Sequence, residues 1–245
     1  MIITDLEKKQ GDFRMRIDSL TLKSGKIHGI IGGNGCGKTT LCKLIMGILK
    51  PDRGTIDYEG LDMRKITMTA QRPYFIQGSV YENICYPLKI RRIRPDEQKI
   101  DQWLLQCGLT EKKHQYARSL SSGEQQKVSM IRALIFDPEL VMIDETLSNL
   151  DPENLELFEN VIFDIQKKRK ITWMLISHRL AHIYKMCDEL HFIHKGTVLA
   201  SGGKNEILFE TEDDRIRRFV ANEVIKMDGS IETLHHARLG AGSTK

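Results

Sequence analysis

Eight residues, "GGNGCGKT" from Gly32 to Thr39, constrain this chain more than any other stretch. They fit G-x-x-x-x-G-K-[ST], and their flanks decide how they are read. "KIHGIIG" before them is a short apolar run of the kind that makes a buried strand. "KTTLCKLIMGILK" after them has helical spacing up to Pro51. A strand, a glycine loop and a helix in that order make a phosphate cradle. Glycines let backbone N–H groups turn inward around phosphate oxygens, and the helix presents its positive end to them. Gly32, Gly33, Asn34, Gly35, Cys36 and Gly37 form the loop. Lys38 is placed for the β- and γ-phosphates, the Thr39 hydroxyl for Mg²⁺, and Thr40 stands beside them.

"LVMIDE" supplies a partner for that loop. An apolar strand ending in an acid puts Asp144 at its carboxyl end, where it can hold Mg²⁺ through water. Glu145 follows, placed to polarise a water that attacks the γ-phosphate. A second anion cradle is suggested by "SLSSGEQQ", where Ser121, Ser122, Gly123 and Glu124 stand at a helix start. One chain with two phosphate cradles demands an explanation.

The organisation around these motifs is that of an α/β protein. "FRMRID" puts Phe13, Met15 and Ile17 on one face after a turn at Gln10-Gly11-Asp12, which predicts an antiparallel hairpin. "RGTIDYEG" is another short strand. From about 79 to 126 the pattern turns helical, with Pro87 and Pro95 read as breaks, so a helical subdomain is inserted there. "ELVMIDE" and "ITWMLISH" are strand-like, each followed by a helix, and the alternation predicts a parallel sheet covered by helices. In the first of those helices Asp151 is the N-cap, Pro152 the first residue, and Leu155, Phe158, Ile162 and Ile165 share a face. "HFIHKGTVLASG" is read as a closing hairpin at Lys195-Gly196, and a helical tail from about 205 ends in the sparsely apolar "HHARLGAGSTK".

Composition narrows the class. No apolar stretch approaches the roughly 20 residues a bilayer crossing needs, and "MIITDLEKKQ" carries charges where a secretory signal needs an apolar run. Five scattered cysteines, never in a CxxC pair, point to a reduced chain without disulfides. The net charge of +4 leaves only two local basic clusters, "KIRRIRP" and "QKKRK", which read as solvated surface rather than a nucleic-acid stripe. His178 and His182 stand four residues apart without a third ligand by motif. His191 and His194 fall on opposite faces of a strand-like run and are poor co-ligands.

Taken in order, "GGNGCGKTT", "LSSGEQQ", "LVMIDE", "SNLD" and "ISHR" resemble the ATP-binding-cassette ATPases, over roughly residues 10–205. The resemblance implies a single nucleotide-binding domain over 1–245: a P-loop NTPase with a mainly parallel core sheet, an N-terminal antiparallel β subdomain and an inserted α-helical subdomain. It implies ATP and Mg²⁺ as ligands, and it answers the question of two cradles. In the family, Leu120 to Glu124 corresponds to the signature motif, which contacts ATP held by another protomer in a head-to-tail homodimer. Ser121 and the Gly123 amide would contact the γ-phosphate. Gln71 matches the glutamine that senses Mg²⁺ and the attacking water, His178 the switch histidine on the γ-phosphate, and Ser148 to Asp151 the loop at the dimer interface. Ser122 stands where glycine is common, Asn149 where alanine is, and Thr146 where proline often follows the glutamate. Serine at 122 implies modest retuning or weaker closure. Phe13 is either the aromatic that stacks on adenine or a core residue.

The resemblance further implies a partner: an integral membrane permease, reached through a groove around Gln71 and "RPYFIQGSVYENICYPL", with a substrate-binding protein indirectly engaged and no nucleic acid. That segment looks like bacterial importers, especially those for oxyanions such as tungstate or molybdate, and the chain would then sit in the cytoplasm on the inner face of the membrane. Other readings are a soluble assembly factor or clamp without a permease, and a regulator that binds ATP without turnover. Retention of Lys38, Asp144, Glu145 and His178 speaks against the last.

Overall fold

The computed structural model describes residues 1–69, 73–145, 150–177 and 179–226, the last three as backbone. β1 (Ile2–Gln10) and β2 (Phe13–Thr21) form the expected hairpin, with Gln10 opposite Phe13 across the Gly11-Asp12 turn. β3 (Ile27–Ile31) is buried at every position and leads through the glycine loop into α1 (Lys38–Ile45). α1 stops short of Pro51 because the chain turns at Gly47, whose φ is +69°. Amides of Met46 and Gly47 there bond back to the carbonyls of Cys42 and Leu44. β4 (Arg53–Asp57) returns to the other side of β1 and completes a three-stranded antiparallel sheet.

β5 (Ile66–Thr69) precedes the helical region, which holds α2 (Val80–Ile90), α3 (Glu97–Gln106) and α4 (Ser122–Leu134). Pro95 lies between α2 and α3, as expected of a break, but Pro87 lies inside α2. Proline removes one ladder bond there. The helix continues because its Ser79–Glu82 capping box fixes the start and Val80, Ile84 and Leu88 are buried on one face. α4 runs through position 126 and on to Leu134.

Strand and helix then alternate: β6 (Leu140–Asp144), α5 (Pro152–Lys168), β7 (Thr172–Ile176), α6 (Leu180–Met186), β8 (Glu189–His194), β9 (Thr197–Gly203) and α7 (Asp214–Lys226). The second sheet has the order β5-β6-β7-β3-β8-β9. Its first five strands are parallel, and β9 joins antiparallel through the hairpin at Lys195-Gly196. The expected tail is helical over Asp214–Lys226, and "HHARLGAGSTK" lies outside the described residues.

Strand parity builds two cores from continuous apolar runs, since successive side chains point to opposite faces. Ile30, Met142 and Met174 join Ile3, Leu6, Ile17 and Leu41 between the two sheets and α1. Ile31, Val141 and Trp173 join Ile84, Val128, Phe158 and Ile183 under the helices on the other face. Trp173 is fully buried, with its indole N–H donating to Gln166 at 3.1 Å. Truncation of such a residue to alanine costs about 3–5 kcal/mol. This layering brings the ends of β3 and β6 to the same end of the sheet, with β7 between them.

Candidate functional site

The glycine loop is pressed against the end of β8. At Gly32, φ is +147° and a Cβ would collide with the Ile193 carbonyl oxygen. The Gly196 amide donates to the Cys36 carbonyl at 2.9 Å, so the β8–β9 turn braces the loop. Cys36 itself is buried, and burial pushes its thiol up. Gly37 caps α1 beside the ring of Phe13. The Lys38 side chain lies along the loop, its Nζ donating to the carbonyls of Gly32 at 2.8 Å and Gly33 at 3.0 Å.

β6 delivers the acids. Thr39 Oγ1 donates to Asp144 Oδ2 at 2.9 Å. Burial pushes the Asp144 carboxyl up, with the Thr39 bond opposing and the neighbouring Glu145 adding to the rise. Glu145 has φ +52°, a left-handed backbone that costs a non-glycine residue about 1–2 kcal/mol. Its amide donates to the Ile176 carbonyl at 3.0 Å, so the end of β7 holds the turn in place. Strain of this kind recurs where a functional side chain must be aimed.

These residues share one cleft of about 250 Å³, lined by Phe13, Asn34, Gly35, Gly37, Lys38, Thr39, Thr40, Asp144 and Glu145. A hydroxyl and a carboxylate oxygen in hydrogen-bond contact are a hard donor pair. They suit Mg²⁺, which keeps waters and takes phosphate oxygens for its remaining positions. Phe13 is partly exposed: its ring packs on the inter-sheet core and also lines the cleft. Gln71 and His178 lie outside the described residues, as do Thr146, Ser148 and Asn149.

The second cradle is built differently. Ser121 is the N-cap of α4; its hydroxyl accepts from the Glu124 amide at 3.4 Å, and Glu124 Oε2 accepts from the Ser121 amide at 2.9 Å. Lys112 forms an ion pair with Glu124 and, with the Ser121 amide, holds its carboxyl down to about 2. Ser122 is the exposed first residue of the helix, so serine stands there without backbone conflict. Gly123 packs on the start of α5, where a Cβ would lie 2.7 Å from Asn154 Nδ2. Asp151 caps that helix, accepting from the Asn154 amide at 2.8 Å and from Asn154 Nδ2 at 2.6 Å. The structure thus brings Ser121–Glu124 together with Asp151, and neither lines the cleft of Lys38. Lys112 and Asn154 escaped the sequence reading because nothing local marks a lysine or an asparagine as the support of another element.

A groove of about 290 Å³ between β5, α2 and α4 is lined in part by Met68, Tyr74, Tyr86, Ile90, Arg132 and Phe136. Tyr74 is 90% exposed and Ile90 59%, and both line this groove. Among the described residues, no helix is long and apolar enough to cross a membrane.

Comparison with known proteins agrees with this geometry. Residues 15–148 match the family model described as ABC transporter. The tungstate uptake system ATP-binding protein TupC of Peptoclostridium acidaminophilum is 38% identical over 82% of this chain and 97% of its own length. The methionine import ATP-binding protein MetN 1 of Listeria monocytogenes serotype 4b is 32% identical over 84% of this chain, and the match spans 65% of its length. Among solved structures, an ATP binding subunit of an ABC transporter superposes with a TM-score of 0.80 at 23% identity, covering 91% of this chain and 98% of that one. The cbiO1 protein of Clostridium perfringens, part of the ABC transporter complex cbiONQ, gives 0.72 at 23% identity, covering 97% of each chain. The chain belongs to the ABC transporter family, as one of its ATP-binding ATPase subunits.

Proposed function

We propose that this chain powers uptake through a separate membrane permease by binding and hydrolysing ATP between two copies arranged head to tail. The observation that carries this reading is the division of the two cradles. Lys38, Thr39, Asp144 and Glu145 share one cleft, while the capped start of α4 stands outside it and is exposed. A second copy supplies what each cleft lacks.

In the bound state, the loop amides and Lys38 hold the β- and γ-phosphates, Lys38 exchanging its two carbonyl partners for phosphate oxygens. Thr39 and Asp144 hold Mg²⁺, which when bound neutralises charge on the phosphates. Gln71 joins them by its place in the family motif. Glu145 orients the attacking water, and His178 stabilises developing γ-phosphate charge. The opposite Ser121 and the amides of Ser122 and Gly123 close over the same phosphate, with Asp151 at the interface. Phe13 offers its exposed ring to the adenine.

The groove beside α2 is the docking surface for the permease, with exposed Tyr74 and Ile90 as its apolar anchors. The transported substrate is an oxyanion of the tungstate type. The tungstate relative supports this more strongly than the methionine relatives, because its whole length aligns and its identity is higher. The test is a pull-down of tagged chain from gently solubilised membranes, with bound proteins identified by mass. The expected outcome is a multi-span permease whose partner receptor binds tungstate; soluble partners alone, in replicate and with ATP present, would overturn the transport reading.

A further inference from the structure

The strand that feeds the phosphate loop carries a second polar cluster near its other end. His28 in β3 stands opposite Glu189 of β8 in parallel register, and His191 lies two residues further along β8 on the same face. His28 is 0% exposed and His191 1%. Glu189 keeps 18% of its side chain open. None of these groups serves the nucleotide cleft: His28 precedes Gly32 by four residues, about 13 Å along a strand.

The hydrogen bonds assign the lone pairs. His28 Nε2 lies 3.0 Å from the Lys23 carbonyl oxygen and can only donate to it, which leaves Nδ1 as an acceptor. That Nδ1 is 3.0 Å from His191 Nε2 and 3.7 Å from Glu189 Oε2. Donor atoms held by Zn²⁺ at its usual bond lengths stand about 3.3 Å apart at tetrahedral corners, and the two observed separations bracket that value. All three donor atoms lie within 4.8 Å of one another.

We propose that His28, Glu189 and His191 bind a divalent transition-metal ion, Zn²⁺ foremost, with solvent completing its coordination. Two imidazoles and one carboxylate suit Zn²⁺ rather than the oxygen-seeking Mg²⁺ or Ca²⁺. The surrounding groups match what metal-bound histidines require. The Lys23 carbonyl fixes His28 through Nε2–H. Ser201 Oγ lies 2.9 Å from His191 Nδ1 and accepts a hydrogen bond from Nδ1–H once Nε2 turns to the ion. Lys23 Nζ pairs with Glu189 and is 63% exposed, so it can withdraw to solvent as the cation arrives. Ser201 is exposed and Glu189 partly so, so two of the groups beside the buried imidazoles reach the surface. The ion would tie β3, β8 and, through Ser201, β9 at the end of the sheet remote from ATP. The competing role of the cluster is a metal-free relay, with Ser201 donating to His191, His191 to His28 and His28 to the Lys23 carbonyl.

The test is titration of the metal-free full chain with Co²⁺, then Zn²⁺, reading visible absorption and melting temperature. The expected result is one equivalent of Co²⁺ giving a tetrahedral d–d band without thiolate charge transfer, displaced by Zn²⁺, and a melting temperature that rises with Zn²⁺ concentration. His191→Asn should abolish the band. Ser201→Ala, at an exposed position where folding is not at risk, should weaken binding about 10–100-fold. A thiolate band, no band at all, or a band that survives both substitutions unchanged would overturn the proposal and leave the relay as the role of the cluster.

Discussion

The two anion cradles proposed for this chain are assembled on different principles. At the phosphate loop, Lys38 comes from the start of α1, Asp144 from the end of β6, and the brace for Glu145 from the end of β7, far apart in sequence. At the start of α4 the capping box lies within four residues, Ser121 and Glu124 satisfying each other's backbone, with Lys112 and Asn154 supporting it from outside. Parallel strands deliver the first set to one end of the sheet, whereas the second is centred on a local capping box. The first is therefore a cleft, and the second an exposed helix end that can act only on something brought to it. The proposed two-chain site rests on that difference.

The sharpest way to break the comparison is Glu145→Gln. Hydrolysis should fall about 10²–10⁴-fold, while ATP–Mg²⁺ holds a dimer detectable by size-exclusion chromatography. A variant that stays monomeric at saturating ATP–Mg²⁺ would break the two-chain reading. Next in size is complementation between the cradles. Lys38→Ala and Ser121→Ala chains should each lose about 10²–10³-fold in phosphate release. Mixed in equal amounts, half the dimers are hybrids with one intact composite site, so roughly a quarter of the wild-type rate should return. No recovery on mixing would mean that both cradles act within one chain.

Smaller effects sharpen the supports. Asp151→Ala removes the N-cap of α5 and should cost about 1 kcal/mol, a fall of about 2–4 °C in melting temperature for a chain of this size. An ATPase loss much larger than that fall predicts would assign Asp151 to the interface as well as to the cap. Lys112→Met should have the least effect, under about 1 kcal/mol, because the pair with Glu124 is partly exposed. The folded chain holds the Glu124 carboxyl down to about 2, below the ordinary value of about 4.3. Its contribution is present above the ordinary value and lost as pH falls towards 2. The melting difference between wild type and Lys112→Met should therefore be full at pH 7 and shrink as pH falls below about 4.

Much of the site was legible because its motifs are local. Gly32 to Thr39, Asp144 with Glu145, and Ser121 to Glu124 each carry their meaning in spacing and in the strand or helix beside them. Pro87 was misread because a proline's local cost is small against the buried face of Val80, Ile84 and Leu88. The partner of His191 was missed for the opposite reason. His191 and His194 were rightly kept apart, but the partner of His191 is His28 on the neighbouring strand, 163 residues away. No periodicity within a strand reports what the next strand places beside it.

The sequence by itself determined the glycine loop, the acids that face it, the capping box at the start of α4 and the alternation that makes an α/β sheet, because each rests on contacts among near neighbours. Only the tertiary structure decided that Phe13 lies in the cleft as well as the core, that Gly123 must be small for Asn154, and that two buried imidazoles meet beside a carboxylate. Those facts depend on strand order and register, which come from burying both faces of one sheet at once.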